Sequence, residues 1–249
     1  MANVSPRPQK AAMLIAQRII NDAIKQGLRP GDLLPAERSM LETYGTGRGT
    51  LREALRLLEF QGVISLKPGP KGGPVLQMPD ATHLSSTVIL LMQLKEAPFR
   101  SIVEVRSAME PMISKLAAER ISDEALDELG DTIHLMADNM GDQDTFLEAN
   151  KRFHDIIAWS SGNPLFGYLV DSLLGIMDGT VIGIDYPQIR RKAILKAHDG
   201  IYKALTARDT KQSEERMQEH IQEYVTYAER KFPNVLDQVI RWGSIKQTI

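Results

Sequence analysis

The 249-residue chain contains no cysteine. That excludes disulfides and every metal site built on thiolate, and it is compatible with a reducing cytoplasm. No apolar run reads as approaching the ~18 residues of a membrane-spanning helix. In "MLIAQRII", Gln17 and Arg18 interrupt what would otherwise resemble a signal-peptide core. The expectation is a cytoplasmic chain with no membrane partner. No internal repeat or low-complexity tract is evident. Charge of one sign is lacking too, the formal net being −2, but its distribution is uneven. Residues 1–80 hold 11 Lys+Arg against 7 Asp+Glu, while residues 81–249 hold 19 against 25. A positive first segment and a negative remainder point to two units with different partners. What is present, 43% hydrophobic and 25% charged residues, is ordinary for a globular protein able to bury a core.

Three glycines surround one arginine in "TYGTGRGTLREAL", Thr43 to Leu55. Closely spaced glycines at a helix start can cradle a phosphate, but a dinucleotide fingerprint needs a buried strand before them. Here "PAERSMLETY" precedes, with Pro35 as an expected first helical residue and Glu37 in the first turn. A Walker lysine is missing as well, since Arg48-Gly49-Thr50 lacks the required glycine spacing. Beyond the glycines, Leu51, Ala54, Leu55 and Leu58 recur at helical spacing, and Arg48, Arg52 and Arg56 form a second stripe. Taken alone, such a row of guanidinium groups is most often a solvated face.

The flanking segments change that reading. Upstream, "AMLIAQRIINDAIKQG" predicts an amphipathic helix with Ile15, Ile19, Ile20, Ala23 and Ile24 on or near one face and Gly27 as its stop. Then "LRPGDLLP" turns the chain. Downstream, Gly62 ends the arginine helix, "VISL" and "VLQ" can pair as strands, and "KPGPKGGP" is their turn-rich tip. The order helix, helix, helix, hairpin is that of a winged helix-turn-helix, so the arginine stripe is expected to meet DNA rather than a small phosphate.

At "PGDLLPAER", "GRGTLREAL" and "LLEFQG" the chain resembles the GntR family of bacterial transcription regulators, specifically its FadR-type branch. The match is dense and collinear over about 70 residues. The resemblance implies DNA contact by Arg38, Arg48 and Arg52, with Gly49 and Thr50 at the helix start and Lys71 and Gly72 at the hairpin tip. Gly47 and Gly49 stand where the family commonly has Ser or Thr beside the first arginine. Backbone N–H groups at the helix N-terminus are then expected to substitute for those hydroxyls.

After "QMPDAT" no convincing strand run interrupts the chain, and helical patterns dominate from Leu84. Helices are predicted near 84–95, 98–120, 122–140, 143–161, 164–182, 187–208, 210–231 and 233–243. In "SSGNP", Gly162 is read as a stop, Asn163 as a cap and Pro164 as a first helical residue. Short loops between long helices favour an antiparallel bundle. The expected fold is mainly α: a flexible tail at 1–10, a winged helix-turn-helix at 11–78, a linker at 79–83 and an all-α antiparallel helical bundle at 84–249.

Five histidines occur, His83, His134, His154, His198 and His220. A lone histidine on a helix is usually solvated or hydrogen-bonded. However, "NKRFHDIIAWSSGN" sets Asn150 and His154 four residues apart on one helix face, with His198 and His220 on two later helices. Three imidazoles and one oxygen from bundle helices can converge on a transition metal with open positions. "RFH", "HDGIYKAL" and "RMQEHI" are also similar to the metal-containing form of FCD, the ligand-binding domain of the FadR-type branch. The resemblance implies a divalent metal, zinc first and nickel or manganese as alternatives, on His154, His198 and His220. Asn150 stands at the family's aspartate position. An amide is a weaker, neutral ligand, so metal affinity is expected to fall while the cation's charge stays available to an anion.

The same resemblance sets Arg106, in "VEVRSAMEP", facing the cavity, where its fork suits a carboxylate. The bland alternative is an i, i+4 pair with Glu110 on an exposed face. Met13, Met92, Met109, Met112, Met136 and Met177 read as core fillers. Together these readings predict a homodimeric regulator binding double-stranded operator DNA under control of a small carboxylate effector. Three rivals stand beside it: a purely structural metal, a metal-free cavity for a larger lipid-like effector, and a metal-dependent hydrolase or lyase using Asp155, Asp199 or Glu223 as base. The last is disfavoured because no acid has a spacing that singles it out.

Overall fold

A computed structural model describes residues 8–69, 72–177 and 179–242. The chain divides into two units, Met1–His83 and Leu84–Ile249.

In the first unit, α1 (Pro8–Lys25) buries Ala12, Ile15, Ala16, Ile19 and Ala23, the i, i+3, i+4, i+7, i+11 face of a helix. Ile24 falls off that stripe and is exposed, contrary to its expected place. Gly27, at φ 72°, closes the helix. α2 (Glu37–Tyr44) ends at Gly45, whose left-handed backbone (φ 58°) makes the tight turn into α3 (Arg48–Phe60). Leu51, Ala54, Leu55 and Leu58 of α3 are buried against α1 together with Leu34, Met40 and Ile64. Burial of each leucine stabilises the unit by about 1.5–3 kcal/mol, which fixes the opposite, arginine-bearing face outward.

β1 (Ile64–Lys67) and β2 (Gly73–Leu76) pair antiparallel, Ile64 opposite Leu76 and Lys67 opposite Gly73. The "PGDLLP" segment, expected only to turn, also joins this hairpin. Leu33 bridges Val75, and Leu34 N–H donates to the Pro74 carbonyl at 2.9 Å. Gly72 is required by close packing, because a Cβ there would strike the Lys67 carbonyl oxygen. Lys71 lies outside the described residues.

The second unit comprises α4 (Thr82–Leu94, whose first turn occupies the end of the expected linker), α5 (Arg100–Arg120), α6 (Asp123–Asp138), α7 (Gln143–Ser160), α8 (Pro164–Met177), α9 (Gln188–Thr206) and α10 (Thr210–Lys231). α5 packs along α10 and against α7, while α9 lies against α6, α5 and α10. At one crossing, the Ser114 and Ser213 hydroxyls meet at 2.6 Å, and small side chains let the helices approach closely. Side-chain caps start several helices: Ser122 accepts from Ala125 N–H, Asp142 from Asp144 and Thr145, and Asp209 from Gln212. Asn163 is a cap, its Oδ1 accepting from Leu165 N–H at 3.1 Å.

Several expectations need correction. Among the described residues, 233–242, the helix expected at 233–243 does not form. α10 stops before Pro233, Asn234 is left-handed (φ 65°), and only a 3-10 turn, Val235–Asp237, follows. The segment instead runs beside the start of α5, Phe99 N–H donating to the Gln238 carbonyl at 2.8 Å and Val239 bridging Pro98. The helix expected at 164–182 ends at Met177, before left-handed Gly179. The stretch Pro164–Ile182 is long and apolar enough, at mean hydropathy 1.5, to cross a membrane, contrary to the expectation that no run approaches that length. Val170, Leu173, Leu174, Ile176 and Met177 nevertheless sit in the core, which accounts for its apolarity. Met136 and Met177 fill the core as expected, whereas Met13 and Met112 are exposed.

Candidate metal centre and nucleic-acid interface

Arg48, Arg52 and Arg56 lie along the exposed face of α3, with Arg38 exposed on α2. Arg52 Nε is 3.8 Å from Glu37 and Arg38 Nε is 3.9 Å from Glu42. Pairs this long and solvated contribute little, about 0–1 kcal/mol, and exchange readily for phosphate. Arg48 has no ion pair among the described residues. Gly47 caps α3 without a side-chain hydrogen bond, so the first-turn N–H groups lack a side-chain acceptor. Gly47 and Gly49 each have open space where a Cβ would stand. Packing does not demand glycine at either, which suits close approach of another surface. Thr50 is half-buried beside them.

In the second unit, α7, α9 and α10 each bring one histidine to a common point. His154, His198 and His220 are buried, and one ring nitrogen from each lies within 4.8 Å of the others. His198 Nε2 and His220 Nε2 are 3.3 Å apart. Two nitrogens at 2.0–2.1 Å from one tetrahedral ion are separated by about 3.3–3.4 Å, so this spacing fits a shared metal. Both ring nitrogens of His154, and Nδ1 of His198 on the side away from His220, are buried with no hydrogen-bond partner, so the cluster has polar atoms left for a ligand. Phe153 stacks on His198, centroids 4.0 Å apart and planes within 11°, which fixes that ring. Burial first, then the neighbouring histidines and Arg106, push His198 well below its ordinary value, and burial followed by His154 and Arg106 does the same for His220. Both are therefore neutral near pH 7, the form that ligates metal.

Asn150, one turn before His154 on α7, is half-buried. Arg106 does pair with Glu110, at 2.6 Å, but the pair is buried rather than on the exposed face the bland reading required. Arg106 also donates to the Met177 carbonyl at 3.2 Å and lies 5.7 Å from the Tyr224 ring centroid. Glu110 Oε2 in turn lies 2.8 Å from His154 Nδ1, with the N–H direction off the oxygen. Burial opposes its ionisation, but the charge of Arg106 and then the contact with His154 hold Glu110 well below the usual carboxylate range. The reading from sequence missed Glu110 as a neighbour of the histidines. Its i, i+4 spacing to Arg106 was visible, but the depth of that helix face was not.

His134 is exposed and His83 packs edge-on to Phe60, so neither joins the cluster. Asp155 pairs with Arg152 at 2.7 Å and Asp199 with Lys203 at 2.6 Å, and no carboxylate joins the three-histidine group among the described residues. A separate groove of about 1080 Å³ between α9 and α10 is lined by Arg190, Glu223, Tyr227 and Arg230 among others.

Comparison with known proteins agrees with this division. Residues 12–70 match "Bacterial regulatory proteins, gntR family" and residues 101–223 match the FCD domain. The chain is similar to the uncharacterized HTH-type transcriptional regulator YcbG of Bacillus subtilis (strain 168), 33% identical over 211 residues, covering 84% of this chain and 86% of that protein. The HTH-type transcriptional regulator LutR of the same organism is 26% identical, covering 80% and 92%. Among solved structures, a Streptococcus agalactiae GntR protein shares the fold with a TM-score of 0.72 at 23% identity, covering 87% of this chain and all (100%) of that one. These families and relatives are regulators rather than enzymes, which sets aside the hydrolase or lyase reading. The chain belongs to the GntR family of bacterial transcription regulators, with an FCD domain following its winged helix.

Proposed function

We propose that this regulator binds operator DNA as a homodimer and is controlled by a small carboxylate effector received at a divalent metal in the FCD domain. The observation that carries the reading is the buried convergence of His154, His198 and His220 within the field of Arg106. The three imidazoles would hold the metal, zinc first and nickel or manganese as alternatives, with the Asn150 amide as a fourth, neutral donor. When bound, the ion supplies open coordination positions for a carboxylate oxygen. Histidine and amide ligands leave its charge undiminished, so an anionic guest is favoured electrostatically, while the charge of Arg106 is offset by Glu110.

On DNA, Arg38, Arg48 and Arg52 reach the duplex, with Gly49, Thr50 and the α3 N-terminus against phosphate and Lys71 and Gly72 at the hairpin tip. Dimerisation is supported by α4, where Leu84, Leu91 and Leu94 stand exposed at i, i+7, i+10 and Leu90 beside them. Two recognition helices about 34 Å apart then meet successive half-sites. A cytoplasmic location follows from that role.

Elemental analysis of purified protein joined to a thermal-shift screen of organic acids tests this reading. Stoichiometric metal and stabilisation by particular carboxylates are expected. A metal-free protein that takes up no added zinc, nickel or manganese contradicts it.

A further inference from the structure

The charge that the metal ligands themselves lack lies one contact away, on Glu110. Its carboxylate is divided between two helices' worth of partners: Oε1 accepts from Arg106 Nε at 2.6 Å, on its own helix, and Oε2 lies 2.8 Å from His154 Nδ1 on α7. All three side chains are buried. Glu110 does not join the group of candidate ligand atoms, so it acts on the site through His154. An imidazole that gives Nδ1–H to a carboxylate has its tautomer set and its Nε2 lone pair left for a metal, and the carboxylate raises its donor strength. Both ring nitrogens of His154, and Oε2 of Glu110 beside Nδ1, are buried without a hydrogen-bond partner. The present contact is off the N–H line.

Resting on the reading of a metal at the three histidines, we propose that Glu110 is the positioning residue of that centre, and that Arg106 regulates it by offsetting the charge of the carboxylate it shares with His154. With Arg106 engaged at Oε1, its positive charge offsets the carboxylate charge that Oε2 presents to His154. An anion that draws the Arg106 guanidinium to itself releases Glu110 to His154 and strengthens the metal's hold. Metal and anionic effector then favour each other's binding, since such coupling is reciprocal. The arrangement also gives a reason for a buried ion pair beside a site already short of negative charge. Replacing one member alone leaves the other buried and uncompensated, whereas replacing both leaves the core intact.

The test uses full-length protein, zinc as the probe, and four chains: wild type, Glu110→Gln, Arg106→Met and the double variant. Zinc affinity is measured by chelator competition, and the His154 tautomer of the metal-free protein by long-range proton–nitrogen NMR. Glu110→Gln should lose roughly 10–100-fold in zinc affinity while still binding one zinc per chain. The double variant, in which no charge is left unpaired, should show the same loss relative to Arg106→Met. Arg106→Met, which mimics an arginine neutralised by its guest, should bind zinc more tightly than wild type. The Nδ1–H tautomer should persist in wild type and Arg106→Met and be lost in both Gln variants. Wild-type affinity and an unchanged tautomer in Glu110→Gln and the double variant would overturn the proposal, leaving Glu110 only a partner of Arg106. Equal zinc losses in Arg106→Met and Glu110→Gln would also overturn it, because a structural clamp has no reason to give opposite signs. If wild type binds no zinc, the metal reading itself falls, and the tautomer in Glu110→Gln still decides whether Glu110 orients His154.

Discussion

Arg48 and Arg52 differ in what holds them in the free protein. Arg52 stands near Glu37, while Arg48 has no ion pair among the described residues. Replacing either by Ala is expected to cost roughly 1–3 kcal/mol of specific operator affinity per base-reading contact, measured by fluorescence anisotropy. Unchanged affinity in both variants removes them from the interface. Asn150 carries the second residue-level prediction. Asn150→Asp adds charge and a stronger oxygen donor, so zinc retention under chelator should improve while the zinc-saturated protein binds a carboxylate effector more weakly. Both quantities unaltered would make Asn150 a bystander.

His198 and His220 supply a third, through linkage. Their folded values lie below the ordinary 6.5, burial being the largest cause, so the unfolded chain binds more protons. Their contribution to stability is present above about pH 6.5 and is lost as pH falls toward the depressed values. The melting temperature of metal-free protein should therefore fall between pH 7 and pH 5, more steeply than in His198→Gln. Parallel profiles for the two proteins would contradict these assignments.

At the scale of elements, what was legible in the sequence followed from periodicity. The buried faces of α1 and α3 are stripes at helical spacing, and Gly27, Gly162 and Pro164 mark real ends because their backbone preferences are local. The stretch at 233–243 was misread because Val235, Leu236 and Ile240 are apolar at helix-like intervals, yet they are buried as part of a looped segment paired with the start of α5. The contact of Leu33 with the hairpin was likewise hidden, since a single bridge leaves no pattern. His154, His198 and His220 could be singled out because Asn150 and His154 share a helix face and the segments around all three resemble the metal-containing FCD pattern. Glu110 could not, because whether an i, i+4 pair is buried depends on which helix covers it. α4 carries the prediction of this scale. A charge placed in its exposed leucine stripe, Leu91→Asp or Leu94→Asp, should shift the protein from dimer to monomer in sedimentation without lowering its melting temperature by more than a few degrees. A dimer of undiminished stability in both would place the interface elsewhere.

For the whole molecule, a basic winged helix and an acidic helical domain divide the labour. The first supplies a DNA face whose arginines are fixed outward by a leucine core. The second supplies a buried histidine centre set beside an Arg–Glu pair. In the function proposed above, the centre governs the face. That control is tested most directly by anisotropy titration of a duplex selected from a random pool by the wild-type protein, at saturating zinc, across a series of organic acids. Wild type should show a shift in DNA affinity of at least about fivefold with one class of acid, and His198→Ala should bind the duplex with no such shift. An equal shift in His198→Ala, or none in wild type with any acid in the series, would contradict the account.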